Sequence, residues 1–401
     1  MHPFKLILPG VLCLVAAAGN TAAPLIQDQD LTVSGDTWTL AVPVGMQLEL
    51  LTDRLEQPRL MEFLPNGELL IGSRSGKVYR LAPPYTLPEV LLELEDYPHS
   101  LAYRDGELLI AQTDGLYRAP FRPGQAHIEW DVVELLAALP AGGGHSSRTV
   151  AIGPDQLVYL SLGISGNCPD EYLDESYRFT DRRGGVLVLD ESSREPRWRT
   201  FAAGLRNPVG FDWHPQTAVL YASNNGPDHL GYNQPPEYFS QLTAGTFHGM
   251  PWYQFDGKTI RRDDCIRKPP PRPHSDVPVP VATFPARNAP MGVAFVPATA
   301  LDERFRHNAI VALKGSWGTQ PSGGMFGKKA TRRPPAIVMV RFADGNAVDV
   351  VEVISGFQRP DGQRLARPVG IAIGPEGALY FTSDTHTEGL FRLRPAPMTT
   401  P

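Results

Sequence analysis

His145 is a residue that the surrounding pattern does not require. It follows three glycines in "GGGHSSRTVAIGPDQLVYLSLG" (142–163), just before an apolar strand–turn–strand pattern. An imidazole ordinarily titrates near pH 6.5, which suits a general base working at neutral pH. The other chemistry-bearing residues are mostly cationic or amide. His99, Arg206 with Asn207, Asn288 and Arg367 stand before or within the opening strand of a repeated phrase, and Lys314 ends a later strand in "IVALKGSWG". Several positive groups brought together repel one another unless an anion sits among them, so this set implies a bound polycarboxylate, phosphate or similarly charged ligand. Each residue also has a plain structural use: His145 as a turn or cap, Arg206 as the partner of Asp212 or Asp228, Lys314 as a surface lysine.

The elements that must position these residues come from the repeats. Residues 58–81 ("PRLMEFLPNGELLIGSRSGKVYRL") and 98–119 ("PHSLAYRDGELLIAQTDGLYRA") both read strand, Gly turn, strand, short turn, aromatic-containing strand. The phrase returns at 147–163, 207–228, 289–318 and 367–394, giving six copies. Period-two alternation around a central P-x-G turn marks antiparallel hairpins rather than helices. Small sheets of this kind bury their faces only against their neighbours, which predicts an all-β, six-bladed β-propeller over residues 24–401. A sandwich or open array is the alternative, and six copies favour the ring. The early stretch "DTWTLAVPVGMQLELL" is expected to complete the last blade and close the circle. The proline-rich segment 266–288 reads as extended or looped, and the Gly-rich segment 318–335, with Lys328, Lys329, Arg332 and Arg333, as an exposed loop or a lid.

Composition narrows the function classes. Of the 401 residues 42% are hydrophobic, and Lys plus Arg (37) against Asp plus Glu (43) give a net charge of −6, so there is no basic field for nucleic acid. Residues 1–23 read as a secretory leader, with an apolar run from Leu6 to Ala18 too short to span a bilayer. Cleavage after Ala18 obeys the small-x-small rule, whereas a cut after Ala23 would abut Pro24. The chain is therefore expected to be periplasmic or secreted. Without the leader's Cys13, Cys168 and Cys265 remain, as one disulfide or two free thiols, and they lack the spacing of a zinc motif.

"HSSRTVAIGPDQLVYLSLG", "GLRNPVGFDWHPQTAVLYASNNGPD", "GTFHGMPWY", "APMGVAFVP" with "IVALKGSWG", and "RPVGIAIGPEGALYFTSD" occur in this order over nearly the whole mature chain. In this the chain resembles the soluble sugar dehydrogenases that use pyrroloquinoline quinone (PQQ), including glucose, aldose and sorbosone dehydrogenase-like members. The resemblance implies PQQ and Ca2+ as cofactors, a sugar as substrate, and a small quinone or a cytochrome as electron acceptor. It implies that His145 is the general base and that Arg206 and Asn207 contact the quinone edge. Carbonyls of Gly226 and Pro227 would bind calcium, Lys314 and Arg367 the cofactor carboxylates, and His99 would face the cofactor. Three positions depart from the pattern: Gly144 where some relatives carry aspartate, Leu365 in place of the first of two arginines, and Pro285 near the stacking tryptophan. Trp252, Tyr253 and Trp317 read as packing residues. A non-catalytic carbohydrate- or protein-binding propeller and a calcium-dependent lactonase-like hydrolase stand as alternatives, the latter requiring acidic and amide ligands in place of arginine and lysine.

Overall fold

The computed structural model describes residues 23–300 and 302–397, so the expected leader, apart from Ala23, lies outside the described residues. Among them there is no α-helix, only short 3-10 turns, and no helix long and apolar enough to cross a membrane. Six antiparallel sheets form the blades of a β-propeller. Running outwards from the channel, blade one holds Pro58–Phe63, Leu69–Ser73, Lys77–Leu81 and Glu89–Glu93. Blade two holds Ser100–Arg104, Glu107–Ala111, Gly115–Pro120 and Glu134–Ala138. Blade three holds Val150–Ile152, Val158–Leu162, Gly185–Asp190 and Arg197–Ala203, extended by a short parallel strand, Thr246–Phe247. Blade four holds Phe211–Trp213, Leu220–Asn224, Glu237–Leu242 and Ala282–Phe284; the proline-rich segment thus contributes only an outer edge strand. Blade five holds Pro290–Phe295, Ala309–Leu313, Ala336–Ala343 and Asn346–Ile354.

Blade six contains Ala366–Ile373, Leu379–His386 and Gly389–Pro395, and its outer strand is Met46–Thr52 from the other end of the chain. Pro395 pairs with Met46 and Leu390 with Thr52, so the expected closure is present. Only the second half of the early stretch supplies it. Asp36–Pro43 pairs instead with Ile26–Val33, and this hairpin packs Trp38, Leu40 and Val42 against Ile354 and Phe357 at blade five's edge.

The repeated phrase explains the close approach at the channel. Gly210, Gly292 and Gly370 lie in "NPVG", "APMG" and "RPVG", and a Cβ on any of them would come under 3.0 Å from the backbone of the next inner strand. A hydroxyl on the second strand then bridges the gap. Ser223 Oγ accepts from Gly210 N and donates to Met291 O at 2.8 Å, and Thr382 Oγ1 accepts from Gly370 N and donates to Arg59 O at 2.6 Å. Buried backbone groups are thereby satisfied without side-chain bulk. Between the blades the period-two apolar faces interlock, with Leu109 and Leu116 against Leu160 and Leu187, and Tyr221 and Phe239 against Val311 and Val338. Each such side chain stabilises the fold by about 1.5–3 kcal/mol on full burial.

The turns follow the sequence as well. In "LPNG" the Gly67 N–H donates to Leu64 O, and Gly67 takes φ 85°, the left-handed conformation that glycine adopts at no steric cost.

Candidate functional site

In an antiparallel blade, the start of the inner strand and the end of the second strand lie at the same rim of the channel. His99, Arg206, Asn207, Asn288 and Arg367 occupy inner-strand starts, while Lys314 follows a second strand, so all six meet at one channel mouth. His145 joins them through the loop leading to Val150. Arg59, Asn224, Asn225 and Asp384 stand at the same rim.

One half of the site is built around Asp384, buried at the end of its strand. Its Oδ2 accepts from Arg59 Nη1 at 2.6 Å and from Lys314 Nζ at 2.5 Å. Burial alone would raise the Asp384 carboxyl; the charges of Arg59 and Lys314 outweigh it and hold the group below the ordinary carboxylate range. Lys314 is pushed down to about 7, first by burial and then by Arg59, with Asp384 opposing. Arg367 stands beside this group and donates to the carbonyls of Lys314 (3.0 Å) and Gly315 (2.8 Å); burial lowers it from its ordinary value. Arg364 is also buried, is lowered to about 9 by burial and by Arg367, and donates to Ser316 O. Among the described residues Arg59 Nε has no partner. Cations therefore outnumber carboxylates here, and part of their hydrogen-bonding capacity is unused, as suits a ligand carrying several negative charges.

His99 is fully buried. Its Nδ1 lies 2.8 Å from Arg148 O, a pure acceptor, so Nδ1 carries the proton, and Nε2 accepts from Arg59 Nη2 at 3.1 Å. Burial and then Arg59 lower its basicity well below the ordinary value, consistent with that neutral tautomer. The expectation that His99 faces the ligand is thus revised: both ring nitrogens are engaged, and it reaches the site through Arg59.

The other half surrounds His145. Its Nδ1 donates to Ile164 O, which leaves the Nε2 lone pair as the acceptor. Burial and then Arg206 push its pKa down to about 4, so the ring is neutral at pH 7. A Cβ on Gly163 would lie 2.8 Å from both His145 Cβ and Asn207 Oδ1, so glycine at this strand end lets the two side chains sit together. Arg206 Nη2 donates to Asn167 Oδ1 (2.7 Å) and Asp228 Oδ2 (3.2 Å), while its Nε is buried without a partner. Arg287, at φ 71°, also pairs with Asp228. Asp212, the other carboxylate considered for Arg206, sits on the inner strand away from this rim. There it accepts from the backbone N–H groups of Trp213 and Phe295.

At Gly226–Pro227, Gly226 N donates to Glu237, a buried carboxyl raised to about 7 by burial. Among the described residues no hydrogen bond is donated to the carbonyl oxygens of Gly226 or Pro227, both buried. Asn288 Oδ1 is likewise buried without a partner. The acidic residues at the mouth are not a free metal ring: Asp228 holds two arginines, Asp384 an arginine and a lysine, and Glu237 the Gly226 amide.

Trp252 and Tyr253 are buried, as expected of packing residues, but Trp317 is 46% exposed. In the Gly-rich loop Met325 and Phe326 are exposed, while Tyr232 donates to Thr331 O and ties the loop base to the segment after Asp228. Cys168 and Cys265 are joined in a disulfide, the first of the two arrangements the sequence allowed, with a Cα–Cα distance of 5.7 Å.

A family model described as TrAA12-like matches residues 272–394. An uncharacterised protein of Borreliella burgdorferi is 26% identical over 375 residues, covering 90% of this chain and 92% of its own. Among solved structures, the iodide structure of the Trichoderma reesei family AA12 carbohydrate-active enzyme aligns with a TM-score of 0.74 at 17% identity. It covers 92% of this chain and 100% of that one. The holo form of the pyranose dehydrogenase PQQ domain from Coprinopsis cinerea gives 0.67 at 18% identity, covering 89% and 97%. The shared feature is the propeller. At such identities the likeness establishes the fold alone, and the chemistry rests on the residues at the channel mouth.

Proposed function

We propose that this protein oxidises a sugar or a sugar-derived alcohol or aldehyde by hydride transfer to pyrroloquinoline quinone, with His145 as general base. The observation that carries the reading is a neutral imidazole with a free Nε2 beside a buried, cation-rich mouth short of negative charge. When bound, the quinone would supply the hydride acceptor and Ca2+ the Lewis acid that polarises it. Lys314, Arg59 and Arg367 would hold the cofactor's carboxylates, with Asp384 keeping the first two in place and His99 supporting Arg59. Carbonyls of Gly226 and Pro227 would ligate calcium, the turn being fixed by Glu237 through the Gly226 amide. Arg206 and Asn207 would stabilise negative charge on the cofactor edge, in a site where buried donors act more strongly than in water. His145 Nε2 would take the substrate hydroxyl proton while Ile164 O holds the ring by Nδ1. The names of the solved propellers, a PQQ domain among them, support the cofactor, and the expected leader together with the disulfide supports a periplasmic or secreted site of action.

The test adds PQQ and Ca2+ to purified protein and follows dye reduction over a panel of aldoses, together with thermal stability. Dye reduction abolished in His145→Ala, with the cofactor's thermal shift retained, supports the proposal. A shift without turnover would instead indicate a non-catalytic binding propeller. Absence of both would overturn the reading and direct the search to lactones.

A further inference from the structure

We propose that Cys168, Cys265 and His229 form a second metal site, which takes one Zn2+ when the disulfide between the two cysteines is reduced. The ligand atoms of all three lie within 4.8 Å of one another, and Cys168 Sγ is 3.6 Å from His229 Nδ1. Zinc bonds of about 2.3 Å to sulfur and about 2.0–2.1 Å to nitrogen, set at a tetrahedral angle, put those two atoms about 3.6 Å apart. That edge of the coordination polyhedron is already in place. The sulfurs must separate to about 3.8 Å once the bond between them is broken.

The imidazole is aimed by its other nitrogen. His229 Nε2 lies 3.0 and 3.1 Å from the Asp263 carboxylate oxygens, and Asp263 is buried and accepts from Cys265 N at 3.0 Å. With Nε2 bonded to Asp263, the ring turns Nδ1 towards the sulfurs, the carboxylate–histidine arrangement that orients metal-bound imidazoles. Two thiolates and an imidazole select a borderline-soft ion such as Zn2+ over calcium, and a water would fill the fourth position. His229 is exposed and both cysteines partly so, which gives ion and reductant access.

The chemistry balances. A dithiol, itself closing to a disulfide, or a phosphine, taking oxygen from water to become its oxide, delivers two electrons and two protons as the S–S bond breaks, and zinc binding releases those protons as the thiolates form. The exchange is coupled to the channel mouth by chain continuity, because Asn167 and Asp228, the neighbours of Cys168 and His229, both hold Arg206.

The test needs no enzymatic activity and so stands apart from the proposed dehydrogenase reaction. The full chain is treated anaerobically with a phosphine, loaded with Zn2+, desalted and assayed for metal, with Co2+ as a spectroscopic substitute. One equivalent of zinc in the reduced protein and almost none in the oxidised protein, together with a thiolate-to-cobalt charge-transfer band, supports the site. Asp263→Asn should weaken zinc binding about 10–100-fold, and His229→Gln should abolish stoichiometric uptake while the oxidised protein still melts in one cooperative transition. Equal uptake by oxidised and reduced protein, or undiminished uptake in reduced His229→Gln, would overturn the proposal. The second outcome would also identify binding to thiols of an unfolded chain.

Discussion

Asp384→Asn removes a carboxylate that contacts both Arg59 and Lys314, without changing the shape of the side chain. Leaving a buried charge without its partner costs about 3–5 kcal/mol, a large share of the roughly 5–15 kcal/mol that holds a domain folded. The cost should depend on pH. In the folded protein Lys314 is lowered to about 7 from 10.5, so the unfolded chain binds more protons between these values, and stability rises with pH across that window. Without Asp384 the folded Lys314 pKa drops further. Below both folded values Lys314 is charged in either protein, and the variant carries the full penalty of two unpaired cations. Above pH 7 Lys314 is neutral in both, leaving only Arg59 stranded. Urea unfolding of the two proteins at several pH values from 5.5 to 9 should therefore show a difference that shrinks as pH rises. The shrinkage should be about 1.4 kcal/mol for each pH unit by which the substitution lowers the Lys314 midpoint. A loss below about 1 kcal/mol at pH 6, or one constant across the range, would refute the triad as the anchor of this half of the site.

With PQQ and Ca2+ present, His145→Ala should reduce dye-coupled turnover by about 10²–10⁴-fold, the usual contribution of a positioned general base, as read from initial rates at saturating sugar. Acid should destabilise the protein: His145 and His248 are both lowered to about 4, so as pH falls from 6.5 to 4 the unfolded state takes up protons that the folded state refuses. Each histidine then removes up to about 3 kcal/mol, and His145→Gln should flatten the fall measured by urea titration. Gly292→Ala puts a methyl group against the backbone of the next inner strand and should cost about 1–3 kcal/mol; an unchanged melting temperature would contradict the close approach.

The fold was legible because every blade repeats the same hairpin, and the position of a residue within that phrase shows which rim it reaches. Gly163, Asn225, Lys314 and Asp384 hold one shared slot at the second-strand end, so Asp384 could have been found by reading that slot across the copies. Arg59 shares its slot with His99 and Arg148, whereas Val209, Met291 and Val369 fill it in the other three blades, so reading that slot across the copies would have found it too. Arg287 and Asn167 lie in loops outside the repeat, and no periodicity predicts a loop's reach. Arg364 stands one position before Leu365, which holds the place of the first of two arginines, and a bend in the chain brings it to the same cluster. Protonation states were likewise invisible, because the tautomers of His99 and His145 follow from which carbonyl each ring meets.

Blade six joins strands far apart in the chain: Arg392 reaches Glu49 across 343 positions. During synthesis Met46–Thr52 is among the first strands to be made and among the last to find a partner. Until then blade six presents an open edge, where a neighbouring molecule's early strand fits as well as its own. The refolding yield should therefore fall with protein concentration, through molecules that exchange this one strand.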